Sequence, residues 1–119
     1  MRKPSGSARL CEARALAGQF AAALKDCNEA IRLASGSVAE ASALATRGFL
    51  YLKMARFHAA ITEYDEALER EPKFPFALYG RGIAKLRMGD SNGGNVDLRA
   101  ARELLPEADK NFAEFGLTP

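Results

Sequence analysis

The sequence predicts an all-α chain: three antiparallel helix pairs followed by a short seventh helix. Three observations predict it. The pattern of small and large residues returns every 34 positions, a period typical of helical-repeat arrays. Within a copy the apolar residues fall in two stripes at helical spacing. Glycine or a short polar stretch stands where one stripe gives way to the next.

The repeat is plainest in the middle and last copies. LATRGFLYLKMARFHAAITEYDEALEREP, from Leu44 to Pro72, aligns with LYGRGIAKLRMGDSNGGNVDLRAARELLP, from Leu78 to Pro106. Arg47 falls on Arg81, Gly48 on Gly82, Leu52 on Leu86, Met54 on Met88, Ala60 on Gly94, Tyr64 on Leu98 and Ala67 on Ala101. An earlier copy is visible in its second half, at an offset of 37: Phe20 meets Phe57, Ala23 meets Ala60, Cys27 meets Tyr64 and Ala30 meets Ala67. The copies span about 4–37, 41–74 and 75–108, with the last helix at about 107–115.

In chain order, the first helix of unit one, Pro4 to Ala17, is degenerate, with Cys11 where the later copies have glycine. Gly18 ends it, and the second helix follows from Phe20. Three extra residues sit near Ser35-Gly36-Ser37. Ser37-Val38-Ala39-Glu40 reads as a capping box, so the next helix is expected from near Val38 to about Met54. Leu44, Leu50, Tyr51 and Met54 form its stripe; Phe57, Ile61, Tyr64 and Leu68 form that of its partner. Ala55 stands where Gly18 and Gly89 end the equivalent helices, and a left-handed alanine costs about 1 kcal/mol. Glu107 and Asp109 open the seventh helix, Phe112 and Phe115 lie three apart, and Gly116 closes it.

GRGIAKLRMGD, residues 80–90, looks at first like a phosphate loop. It lacks the Gly-x-x-x-x-Gly-Lys-Ser/Thr run that wraps phosphates, and Lys85 stands where a dinucleotide fingerprint needs its third glycine. The repeat gives Gly82 a packing reason: it faces Gly94 across the helix pair, as Gly48 faces Ala60. Gly80 has no such reason and costs about 1 kcal/mol in a helix. Gly93 beside Gly94 is expected to loosen the last pair.

The bulk numbers exclude several classes. The 119 residues suggest one domain, and 48% apolar content suits a packed core. A net charge of +2 gives no push toward nucleic acid or anionic membrane. No apolar run is long enough to span a bilayer, and MRKPSGSARL has no apolar segment of a secretory signal. Cys11 and Cys27 form neither a redox nor a zinc motif, and His58 is the only histidine, so no metal site or cofactor is expected. The cysteines read as small buried apolar residues; a bridge between them requires two helices to set them opposite one another. Glu63, Asp65, Glu66 and Glu69 are the densest acidic run and read as a solvated helix face. No acid, base and nucleophile converge, so the chain is not expected to be an enzyme.

The 34-residue period, the small residues Gly48/Gly82 and Ala23/Ala60/Gly94, Phe20 and Phe57, the alanines Ala30/Ala67/Ala101 and the prolines Pro72/Pro106 resemble the tetratricopeptide-repeat (TPR) family. The resemblance covers about residues 4–108. It departs from the family at Leu44 and Leu78, which replace a tryptophan, and at Arg14 and Lys85, which replace a tyrosine that Tyr51 retains. Those two cations are expected to snorkel.

The resemblance implies a right-handed α-solenoid with a concave groove, and a protein-interaction role for it. Carried over by position, the groove holds Ser5, Ala8 and Glu12 from unit one, then Ser42, Ala45, Phe49, Leu52 and Lys53 from unit two. Unit three adds Phe76, Tyr79, Ile83 and Arg87, with Lys110 reaching in from the last helix. The family's carboxylate clamp is not reproduced: its places hold Ala8, Glu12, Thr46, Phe76 and Gly80. The expected ligand is therefore a peptide or partner helix with an apolar anchor, and an acid near Lys53 and Arg87. The aromatics could instead pack between adjacent repeats. Phe112 and Phe115 read as a cap over the last repeat, or as a dock for a second copy or a following domain. Self-association into a homodimer and a regulatory fragment of a larger protein are the alternative readings. RNA is disfavoured by the near-neutral charge and the three-unit length. The expected compartment is the cytoplasm, and the alanine-rich composition suggests a bacterial source.

Overall fold

A computed structural model describes residues 6–119 of the chain. The described residues are all-α and form seven helices: α1 Gly6–Leu16, α2 Phe20–Ala34, α3 Glu40–Lys53, α4 Phe57–Arg70, α5 Pro75–Arg87, α6 Ser91–Leu104 and α7 Ala108–Glu114. Ser5 and the beginning of the first copy at Pro4 lie outside the described residues.

Each helix packs on its successor, making sequential antiparallel pairs. The odd-numbered helices also touch one another in order, α1 on α3, α3 on α5 and α5 on α7, whereas no even-numbered helix touches another among the described residues. Two layers result, with the core between them.

The turns inside the pairs obey one rule. Gly18 (φ 78°), Ala55 (φ 58°) and Gly89 (φ 89°) are all left-handed. After each, the next N–H reaches back to close the helix end: Gln19 to the Arg14 carbonyl, Arg56 to that of Tyr51, Asp90 to that of Lys85. The alanine keeps the geometry of its glycine counterparts and carries the strain. Gly116 (φ 77°) ends α7 in the same way, with the Leu117 N–H on the Phe112 carbonyl.

The capping device at Ser37 is shifted from its expected form. The Ser37 hydroxyl accepts from the Ala39 N–H at 3.2 Å, and the Glu40 carboxylate accepts from the Gly36 N–H at 3.3 Å. The helix therefore begins at Glu40, two residues beyond Val38. Asp90 caps α6 by accepting from the Gly93 N–H at 2.9 Å, and a Cβ on Gly93 would collide with that carboxylate.

The glycines of α5 point into protein. A Cβ on Gly82 would meet Leu98 at 2.9 Å and the Gly94 carbonyl at 3.0 Å, so the two glycines do let α5 and α6 approach closely. Gly48 differs from expectation: a Cβ there would lie 3.0 Å from the Tyr64 ring, which is its nearest neighbour in place of Ala60. The same ring explains Gly80, where a Cβ would collide with Cζ and the hydroxyl of Tyr64. One buried tyrosine of α4 thus occupies the space that two glycines of the flanking helices leave free.

Cys11 and Cys27 form a disulfide, correcting the reading of them as separate apolar residues. Helices α1 and α2 bring their Cα atoms to 5.2 Å, the separation a bridge requires. The bond lies in a sub-core with Ala15, Ala23, Phe49 and Leu50. It staples the degenerate first pair, where the other pairs have a glycine against a large side chain.

A candidate peptide-binding face on the odd helices

The sequence places the face on α1, α3 and α5, and these helices do lie side by side. Their side chains differ in what they offer. Ala45, Phe49, Leu52, Tyr79 and Ile83 are buried, Phe76 and Lys53 are half-buried, and Glu12 and Arg87 are exposed. Ala8 is half-buried, while Ser42 and Lys110 are exposed. The aromatic floor is not open to solvent because the C-terminal segment covers it.

That segment is held at several points. Phe112 lies against Tyr79, with ring centroids 4.4 Å apart, and against Phe76 at 5.0 Å. Phe115 meets Phe49 edge-on at 5.3 Å, and Leu117 packs against both neighbouring core clusters. Such aromatic pairs each contribute about 1 kcal/mol beyond their area. Lys53 Nζ donates to the Phe115 carbonyl at 2.9 Å, and Arg87 Nη2 donates to the Thr118 carbonyl at 3.0 Å. Gly116 is left-handed (φ 77°) and makes the turn that follows α7 and precedes Leu117.

Asp109, at the start of α7, accepts from the Tyr79 hydroxyl and from Arg102 Nε and Nη2 at 2.8 and 2.9 Å. Arg102, with Tyr79 next, holds the Asp109 carboxyl below its ordinary value. Burial, then the Asp109 carboxylate, pushes Tyr79 up to about 12, so its hydroxyl stays a donor at physiological pH. The reading of α7 as a cap thus describes only part of what it does. Phe112 is 1% exposed and Phe115 half-buried, and both pack against aromatics of the odd helices. The spacing Asp109, Phe112, Phe115 is the sequence signal for this contact, but nothing local says that it folds back as far as α3.

Sequence reasoning also missed an ion-pair ladder at the repeat period. Asp26, Glu63 and Asp97 are equivalent positions, offset by 37 and then 34. Each pairs with a cation of the facing odd helix: Arg14 with Asp26 at 2.6 Å, Arg47 with Glu63 at 2.9 Å, and Arg81 and Lys85 with Asp97 at 2.8 and 3.0 Å. Arg14 and Lys85 therefore end in ion pairs rather than in open solvent. Glu63 is buried, against its reading as part of a solvated face, and Asp65 pairs with Arg81 at 2.9 Å. Burial raises the Glu63 carboxyl above its ordinary range, with Arg47 offsetting only part of it. Asp97 is desolvated to a similar degree, but the hydrogen bonds of Arg81 and Lys85 outweigh burial and bring it below.

Among the described residues no group of three or more His, Cys, Asp or Glu is placed to hold a metal ion, and no helix is long and apolar enough to cross a membrane. A surface hollow of about 420 Å³, lined by Ala55, Arg56, Phe57, His58, Ala59 and Met88, contains none of the expected groove residues. No known protein family matches the chain, and no curated protein sequence matches it.

Proposed function

We propose that the chain is a non-catalytic protein-interaction module of the TPR kind. In this reading the three helix pairs form a right-handed α-solenoid, and the odd helices line a concave groove that holds a peptide or a helix of a partner protein. No cofactor, nucleic acid or membrane enters it.

One observation carries the reading. Lys53 of α3 and Arg87 of α5 both donate to main-chain carbonyls of a segment lying over Phe49, Phe76 and Tyr79. A helix laid in a groove is held by apolar anchors spaced along one of its faces, and here Lys53 and Arg87 add hydrogen bonds to carbonyls just beyond the end of α7. The repeat-periodic turns at Gly18, Ala55 and Gly89 support the solenoid.

The test uses the rim, because Phe49 and Tyr79 are core residues whose truncation would cost about 3–5 kcal/mol of stability. Affinity capture is compared between the wild type and Lys53→Glu/Arg87→Glu, after circular dichroism shows equal helicity. A protein retained by wild type and lost by the charge-reversal variant supports the groove. Equal retention moves the site elsewhere.

The second reading, self-association, is favoured by Leu10 and Leu16, each nearly half exposed on α1, the first described helix. Light scattering across a hundredfold concentration range decides it; a constant monomer mass removes it. The Cys11–Cys27 bond favours an oxidising compartment over the cytoplasm. The reading of the chain as a fragment of a larger protein fits the same groove role.

A further inference from the structure

The segment on the odd-helix face has the form of a ligand. Asp109, Phe112 and Phe115 recur at every third position, and each meets side chains of the helices beneath it. The acid meets the Tyr79 hydroxyl and Arg102, the first ring meets Phe76 and Tyr79, and the second meets Phe49. Lys53 and Arg87 then hold main-chain carbonyls, which any sequence supplies. Helix α7 has seven residues, too few to persist alone in water. Its helical form comes from the face it lies on.

We propose that residues 108–118 are a built-in occupant of the groove, and that the partner is a short helical peptide with Asp-x-x-Phe-x-x-Phe spacing that binds by displacing them. The inference rests on the groove reading above and names the ligand chemistry for it. The side-chain receptors select an acid and two aromatics at fixed spacing, while Lys53 and Arg87 add affinity without sequence choice. The partner's apparent affinity is reduced by the fraction of molecules whose groove is open. Changes that loosen the segment therefore tighten partner binding without altering the groove.

The probe is a fluorescein-labelled synthetic peptide, EADKNFAEFGLT, which copies residues 107–118. It is titrated by fluorescence anisotropy against the full chain, against Phe115→Ser, and against Phe115→Ser with Lys53→Glu, each checked for helicity. Leu117→Ser is the second release variant should Phe115→Ser lose helicity, since it removes apolar packing from the segment without removing an aromatic or placing a carboxylate beside Lys53 and Arg87. The expected result is at least tenfold tighter binding by the release variant than by wild type, with most of the gain removed by Lys53→Glu. A scrambled peptide is expected to bind neither.

Equal affinity for wild type and the release variant overturns the displacement while leaving the groove. No binding by a helical release variant overturns the ligand chemistry. If partner capture still depends on Lys53 and Arg87 in that case, the groove reading survives alone. A gain that persists through Lys53→Glu places the peptide outside the groove and overturns the proposal.

Discussion

Arg81 and Asp97 face each other across the α5–α6 pair in a two-pronged hydrogen bond. Nε and Nη2 of the guanidinium meet the two carboxylate oxygens at 2.8 and 2.9 Å. The equivalent pair one repeat earlier, Arg47 and Glu63, is less complete: Arg47 Nε is buried without a hydrogen-bond partner among the described residues. The difference follows from chain length and neighbours. The shorter aspartate meets the fork squarely and has Lys85 beside it, where unit two has Tyr51.

The two carboxylates should respond oppositely to pH. The folded pKa of Asp97 lies below the ordinary aspartate value of 3.8, so its contribution is complete above that value and is lost as pH falls through the folded value. Glu63 lies above the ordinary 4.5, so its contribution is present below that value and is lost as pH rises through the folded one. Asp97→Asn is expected to destabilise by about 3 kcal/mol at neutral pH, because it leaves Arg81 half-buried with a weakened partner. Glu63→Gln is expected to cost less than about 1 kcal/mol there, and less at pH 7 than at pH 4. Urea unfolding of both variants across that range checks the sign.

Ala55→Gly should stabilise the protein. The left-handed strain of about 1–2 kcal/mol disappears, and the added freedom of the unfolded chain returns part of it. The net gain expected is about 0.5–1 kcal/mol, a rise in Tm of about 3 °C by thermal circular dichroism. The reverse change at Gly18 or Gly89 should lower Tm by a similar amount.

Tyr64 and Gly80 form a size-matched pair. Gly80→Ala would drive a Cβ into the Tyr64 ring, in a core with no slack. Overpacking of this kind costs about 1–3 kcal/mol and outweighs the helix-propensity gain of about 1 kcal/mol. Tyr64→Phe should go the other way. The hydroxyl is buried without a hydrogen-bond partner among the described residues, and burial drives its pKa far above the ordinary tyrosine value. Removing it should stabilise by about 1 kcal/mol. The double variant should recover only part of the Gly80→Ala loss, since the ring itself makes the contact.

The disulfide should be a stability element of the first pair. It joins residues 16 apart in sequence, and both cysteines are fully buried. Closing a loop of that size is worth about 3 kcal/mol. Native protein should show no thiol to Ellman's reagent, and reduction should lower Tm and unfold α1 before the rest. Hydrogen exchange on reduced protein locates the loss; protection lost evenly along the chain would count against it.

Most of the local architecture is legible in the sequence. Turn positions, helix pairs and the small contact at Gly82 and Gly94 follow from a period that every copy repeats, so one copy corrects the reading of another. The start of α3 falls two residues later than the capping box implies because Glu40 reaches Gly36 instead of Ser37, a choice between neighbouring N–H groups that sequence does not encode. Glu63 is hidden from a sequence reading because composition counts charges and cannot see that one of them faces Arg47 on the preceding helix.

The sequence by itself determined the helices of the described residues, their pairing and which residues fall on the odd-helix face, because periodic apolar spacing and turn chemistry act over a few residues. Only the tertiary structure decided what that face meets. Lys53 and Phe115 are 62 residues apart, and no local propensity links them. Their contact exists because stacking three pairs leaves an apolar face on the odd helices, and the C-terminal segment carries two phenylalanines at the spacing that covers it. The disulfide and the Tyr64 contacts were hidden for the same reason. Each joins separate helices, and the energy that selects it comes from packing.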